Sequence, residues 1–159
     1  MDGTDFLVRE ISNRMRRLLG NAQQCLGQLD EGHVWYRAHP RDNAIANLIL
    51  HIVGSFQGVL AGMDGKPVTR DRSAEFSATQ GKSKDELTSI LRETIEEFCR
   101  AIESVPAARI SEAIRIQDIE TTIAYILVGA VSHLSLHVGQ MQFIAKSLLQ
   151  EVYKESSHA

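Results

Sequence analysis

Four stretches of the chain place apolar residues at three- and four-residue steps, the period of a helix with one buried face, while few runs alternate as strands do. The first covers residues 6–29 and carries Leu7, Ile11, Met15, Leu18, Ala22 and Leu26. Gly20 lies inside it and costs on the order of 1 kcal/mol of helix stability relative to alanine. The second covers residues 43–62, where Ala44, Ile45, Leu48, Ile49, Ile52, Val53, Phe56, Val59 and Leu60 wrap most of the circumference. A helix this apolar is predicted to be buried on more than one side.

The third stretch follows the capping-box pattern Ser83-Lys84-Asp85-Glu86 and runs through Leu87, Ile90, Leu91, Ile95, Phe98 and Ile102, ending before Pro106. The fourth, capped by Thr121 or Thr122, reaches about Tyr153 along the stripe Ile123, Ile126, Ala130, His133, His137, Met141, Ile144, Leu148. Between them, residues 30–42 form a connector whose Trp35 and Tyr36 are expected to pack against the helices, and residues 63–81 read as a long polar loop. Ile114-Arg115-Ile116-Gln117 alternates briefly, as a short extended or hairpin segment does. The pattern predicts an all-α protein, a four-helix bundle with a short extended segment before the last helix, forming one domain over residues 1–159.

Composition narrows the picture further. With 159 residues, 43% of them hydrophobic and 23% charged, the chain has enough apolar mass for a sizeable core. A formal net charge of -3 gives no electrostatic footprint for nucleic acid or anionic lipid, and the local cluster Arg14, Arg16, Arg17 reads as a solvated helix face. The acidic start is followed by no signal-type segment, and no run reads as long enough to span a bilayer, so a cytoplasmic location and no membrane partner are expected. Cys25 and Cys99 have neither the number nor the spacing of a disulfide framework or a cysteine-based zinc site and read as buried free thiols.

The candidate chemistry lies in the histidines. His133 and His137 are four residues apart, one turn on the same helix face, and that face is the apolar one, where an imidazole needs a hydrogen-bond partner or a metal. His51, midway along the apolar second stretch, is the third inward candidate. Three neutral imidazoles from two helices suit Zn or Ni and leave a coordination position for water or substrate, where an ion lowers the pKa of water toward ~7 or holds a thiolate. Asn47 and Gln140 are placed either to orient these ligands or to sit exposed. His33, His39 and His158 read as solvent-exposed. Leu134 stands where a zincin motif needs glutamate, so no protease follows. No aspartate or glutamate occupies the core part of the second or fourth stretch, and Glu93, Glu96 and Glu97 read as solvated, so no general base is evident and the catalytic residues stay unknown. The alternative is a non-catalytic helical metal- or ligand-binding or scaffolding protein.

The run Asn43-Ala44-Ile45-Ala46-Asn47-Leu48-Ile49-Leu50-His51-Ile52-Val53-Gly54, followed about eighty residues on by His133-Leu134-Ser135-Leu136-His137-Val138-Gly139-Gln140, resembles the DinB/YfiT-like superfamily. Val34-Trp35-Tyr36-Arg37 and Gln142-Phe143-Ile144-Ala145-Lys146 extend the resemblance over nearly the whole chain. It implies an up-up-down-down four-helix bundle, a metal held by His51, His133 and His137, and a homodimer. It further implies a metal-dependent thiol S-transferase acting with bacillithiol, mycothiol or glutathione, or a related isomerase or hydrolase, on a small-molecule substrate. No appended domain and no recognisable thiol pocket accompany the motifs.

Overall fold

The computed structural model describes residues 3–116 and 119–155. In chain order these form α1 (Gly3–Leu26), α2 (Glu31–Val34), α3 (Ile45–Met63), α4 (Arg72–Ser77), α5 (Lys84–Glu103), strands β1 (Ala113–Ile116) and β2 (Ile119–Thr122), and α6 (Ile123–Leu149). Helix dominates, and the four long helices are the four periodic stretches. Helices α1 and α3 each pack against both α5 and α6. On α3, Ile45, Ala46, Leu48, Ile49 and Ile52 are all buried, as a helix apolar around most of its circumference requires. Each fully buried aliphatic side chain of this size is worth about 1.5–3 kcal/mol.

By length and hydropathy alone, α3 and the segment Ile123–Val152 would each suffice to cross a bilayer. This corrects the expectation that no run is long enough. In the fold, the apolar surface of α3 is turned toward α5 and α6, which accounts for its composition without a membrane.

The helix ends follow local rules. Ser83 and Glu86 form the expected capping box, with the Ser83 amide donating to Glu86 Oε2 at 2.7 Å and the Glu86 amide to Ser83 Oγ at 3.2 Å. Thr122, of the two candidates, caps α6 by accepting from the Tyr125 amide at 3.2 Å. Helix α3 stops in a Schellman arrangement, where Lys66 N donates to Ala61 O at 2.8 Å and Gly65 takes the left-handed φ of 68°.

The alternation before the last helix is an antiparallel hairpin pairing Ala113 with Thr122 through to Ile116 with Ile119. Gln117 lies outside the described residues. The hairpin is seated on α3 because position 62 is glycine: a Cβ there would stand 2.7 Å from Ile116 Cγ2.

Two short helices lie where loops are predicted. Helix α4 carries no continuous apolar stripe and none of its residues is buried, so periodicity cannot reveal it. An Asp71 cap on the Ala74 amide at 2.9 Å and hydrogen bonds from neighbouring elements set it instead. Trp35 packs against the core and donates its Nε1–H to Lys82 O at 3.0 Å. Tyr36 does not follow it and stays exposed. Cys25 and Cys99 are buried free thiols, and burial pushes both up to about 11. Arg16 is not merely solvated, since it ties α1 to α5 through Glu96 at 3.2 Å and Glu103 at 2.6 Å.

Candidate metal centre

Helices α3 and α6 are adjacent, and their apolar faces bring His51, His133 and His137 together between them. His51 Nε2 lies 3.0 Å from His133 Nε2. The three rings stand 4.6 to 5.0 Å apart by centroid, each pair close to perpendicular. One ligand atom from each lies within 4.8 Å of the others, and among the described residues these three side chains form a group that could hold a metal ion. Two imidazoles bound to a tetrahedral zinc at 2.0–2.1 Å stand about 3.3 Å apart. The observed separation is a few tenths of an ångström short of that.

Burial pushes all three imidazoles below the ordinary histidine value. His133 is taken to about 4, with repulsion from His137, His51, Arg70 and Arg72 adding to burial. At neutral pH each therefore offers a lone pair rather than a charge, which is the state a metal requires.

On His51 and His137 the nitrogen turned away from the cluster has its own partner. His137 Nδ1 lies 2.7 Å from Gln140 Oε1. An amide oxygen only accepts, so Nδ1 carries the proton and Nε2 is left free. His51 Nδ1 lies 3.1 Å from Glu75 Oε2 and 2.8 Å from Arg70 Nη2. Those two contacts ask for opposite tautomers. With Nε2 engaged in the cluster as a ligand, Nδ1 donates to Glu75, and Arg70 Nη2 is satisfied by Glu75 Oε2 at 2.8 Å and His51 O at 3.3 Å. A carboxylate behind a ligating imidazole is one of the recurrent ways of fixing its ring and tautomer.

Glu75 comes from α4, and the architecture that delivers it is specific. Asn47 is fully buried; its Nδ2 donates to Glu75 O and Ala78 O, both at 2.8 Å, while its Oδ1 accepts from Ala44 N at 3.0 Å. Arg37 donates to Asn47 Oδ1 at 2.9 Å, Phe76 O at 3.0 Å and Ala78 O at 2.6 Å. Phe76 lays its ring 4.6 Å from that of His51. Position 54, one turn along α3 from His51, is glycine: a Cβ there would collide with Glu75 Oε1 and stand 3.2 Å from Arg70 Nε. Burial raises the Glu75 carboxyl, but hydrogen bonds from Arg70 and His51 outweigh it and hold the group below the usual carboxylate range.

A family model described as a protein of unknown function, DUF1572, matches residues 2–158. The chain belongs to the DUF1572 family. No curated protein matches it. A crystal structure of a conserved protein from Enterococcus faecalis is similar, with a TM-score of 0.78 over 95% of this chain and 99% of that one. At 13% identity this is a likeness of fold.

In this DUF1572 chain the three histidines expected to converge do so. Gln140 touches His137 as one of its two readings has it, whereas Asn47 orients no imidazole directly and works through the backbone of α4. The missing carboxylate is Glu75, in a segment read as loop. Its signal in the sequence is Asp71 followed by Glu75, a cap and a carboxylate at helical spacing, too short to stand out. His33 and His39 lie outside the cluster, their Nδ1 atoms accepting from Asp30 N at 3.1 Å and Arg41 N at 3.3 Å. His158 lies outside the described residues.

Proposed function

We propose that this DUF1572 protein is a divalent-metal-dependent enzyme of the DinB/YfiT-like kind, a four-helix bundle of up-up-down-down topology in which His51, His133 and His137 hold Zn or Ni. The observation that carries the reading is the convergence of three neutral imidazoles, His51 and His137 buried and His133 half-buried, with Glu75 and Gln140 behind two of them. Three protein ligands leave room for substrate, as catalytic rather than structural sites do. The reaction is a thiol S-transfer or a hydrolase-type step on a small molecule, with a low-molecular-weight thiol as co-substrate, in the cytoplasm. A bound ion supplies Lewis acidity and lowers the pKa of a coordinated water or thiol. A homodimer is supported by the outward face of α6, where Tyr125, Val128, Leu136 and Phe143 are exposed.

Protein purified without chelator should carry about one divalent ion per chain, and Zn or Ni added to the metal-free form should raise its Tm. Thiol-dependent turnover of small electrophiles should follow metal content. Absence of both metal and thermal shift removes the basis of the reading.

A non-catalytic metal- or ligand-binding role is favoured by one observation: Glu75 is tied to Arg70 by bonds of 2.6 and 2.8 Å, and that pairing leaves it a poor general base. His51→Ala and His137→Ala separate the two readings. Folded variants that lose metal and keep every activity of the parent would leave only the binding role.

A further inference from the structure

A second feature adjoins the histidines. Between α3, α5, α6 and the β-hairpin lies a cavity of about 250 Å³, lined by Phe56, Phe98, Ile126, Ala130 and His133 among others. His133 is the single member of the histidine cluster that lines it, so the cavity adjoins the cluster through that ring. The wall is aromatic as well as apolar: Phe56 stacks on the His133 ring at 6.1 Å, 16° from parallel, and meets Phe98 edge-on at 4.8 Å. Among the described residues lining it, none is an acid, a lysine or an arginine, and the polar groups besides His133 are the hydroxyls of Ser55, Thr121 and Tyr125. Gly129 sits at its edge, and a Cβ built there meets nothing within 4 Å.

A larger groove of about 870 Å³ runs along α6 beside Gln140, but none of the three histidines lines it. Of these two, the smaller cavity is the one that a histidine of the cluster lines. An apolar protein cavity of about 150 Å³ holds benzene. The extra volume here accommodates a ring with one or two small substituents, and an unpaired charge would enter a space with no counter-ion.

We propose that this cavity is the substrate pocket of the metal centre and takes uncharged, apolar molecules no larger than a substituted monocyclic ring. The proposal rests on the metal-centre reading, and the two fail in different ways.

The test is binding of 4-fluorotoluene followed by ¹⁹F NMR, with 4-fluorobenzoate as the anionic counterpart of similar size. Metal-loaded protein should bind 4-fluorotoluene saturably and at least ten-fold tighter than 4-fluorobenzoate. Gly129→Phe should weaken that binding at least ten-fold with metal content unchanged. Gly129→Leu fills the same edge with a smaller side chain and serves where the phenylalanine variant does not fold. In Co(II)-loaded protein the bound fluorine should relax faster, since His133, a ligand of the ion on this reading, lines the pocket. Absent saturable binding, binding untouched in both Gly129 variants, or binding without enhanced relaxation beside bound Co(II) each overturns the pocket while leaving the metal centre standing. A chain that takes up no metal at all overturns both, whatever 4-fluorotoluene does.

Discussion

On α6 the ring of His137 is held by a residue of its own helix, Gln140, one turn away, whereas on α3 the ring of His51 is held by Glu75, 24 positions later and on another element. The α6 side is local and partly open to water, since Gln140 is exposed. The α3 side is non-local and part-buried, and it exists only if Asn47 and Arg37 pin α4, Gly54 leaves space, and Arg70 neutralises the carboxylate. A neutral amide in reach of water is replaceable by solvent; a desolvated carboxylate is not. The two halves of one candidate centre therefore depend on the fold to different degrees.

The largest effect should come from the ligands themselves. His51→Ala and His137→Ala are each expected to lower metal affinity by more than about 100-fold, beyond the roughly 10–100-fold that loss of an outer partner costs. Metal analysis after dialysis against a weak competitor measures this, with circular dichroism to show that the helices persist. Retention of stoichiometric metal in either variant would mean that the ion sits elsewhere.

Next comes Glu75. Glu75→Ala should weaken metal binding by about 10–100-fold, and it should also lower stability, because the part-buried Arg70 guanidinium loses its partner, at a cost on the order of 1–3 kcal/mol. Glu75→Gln retains an acceptor for His51 Nδ1 but not the charge, so it should recover part of the affinity and less of the stability. Equal behaviour of the two variants in a zinc competition assay would show that Glu75 acts by filling space rather than by orienting His51.

Gly54→Ala sharpens the same point without removing a polar group. An alanine for glycine change inside a helix ordinarily adds about 1 kcal/mol of stability. Here the added Cβ displaces the Glu75 carboxylate, so metal affinity should fall roughly ten-fold and Tm should not rise. A higher Tm with unchanged affinity would show that Glu75 does not press on α3 as the structure has it.

The same division decides what could be read from the chain. The four long helices carry enough turns for periodicity to register, and three histidines on two apolar faces have few places to go but toward each other. Gln140 was within reach because an i, i+3 contact is a property of one helix. Glu75 was not, because α4 has six residues and no buried stripe, and its position depends on Arg37 and Asn47, each nearly thirty or more residues away in sequence. The hairpin was half legible: alternation over Ile114 to Ile116 is visible, but Gly62, which seats Ile116, gives no sign of that role on an otherwise apolar helix.

The smallest effect, and the one on which the contrast turns, belongs to Gln140. Gln140→Ala removes the acceptor from His137 Nδ1, yet the ring remains packed on α6 and water can occupy the vacated position, as it can for most exposed polar partners. Metal affinity should fall by about ten-fold or less, and Tm should change by little, because an exposed side chain away from a cap contributes within about 0.5 kcal/mol. The quantity to compare is the ratio of the two losses, Glu75→Ala against Gln140→Ala, in one competition experiment. A ratio clearly above one ties the strength of each ligand's support to burial and charge. A ratio of one, with both proteins folded, would mean that the cluster is organised by the packing of α3 against α6 alone, and that the machinery around Glu75 serves α4 rather than the histidines.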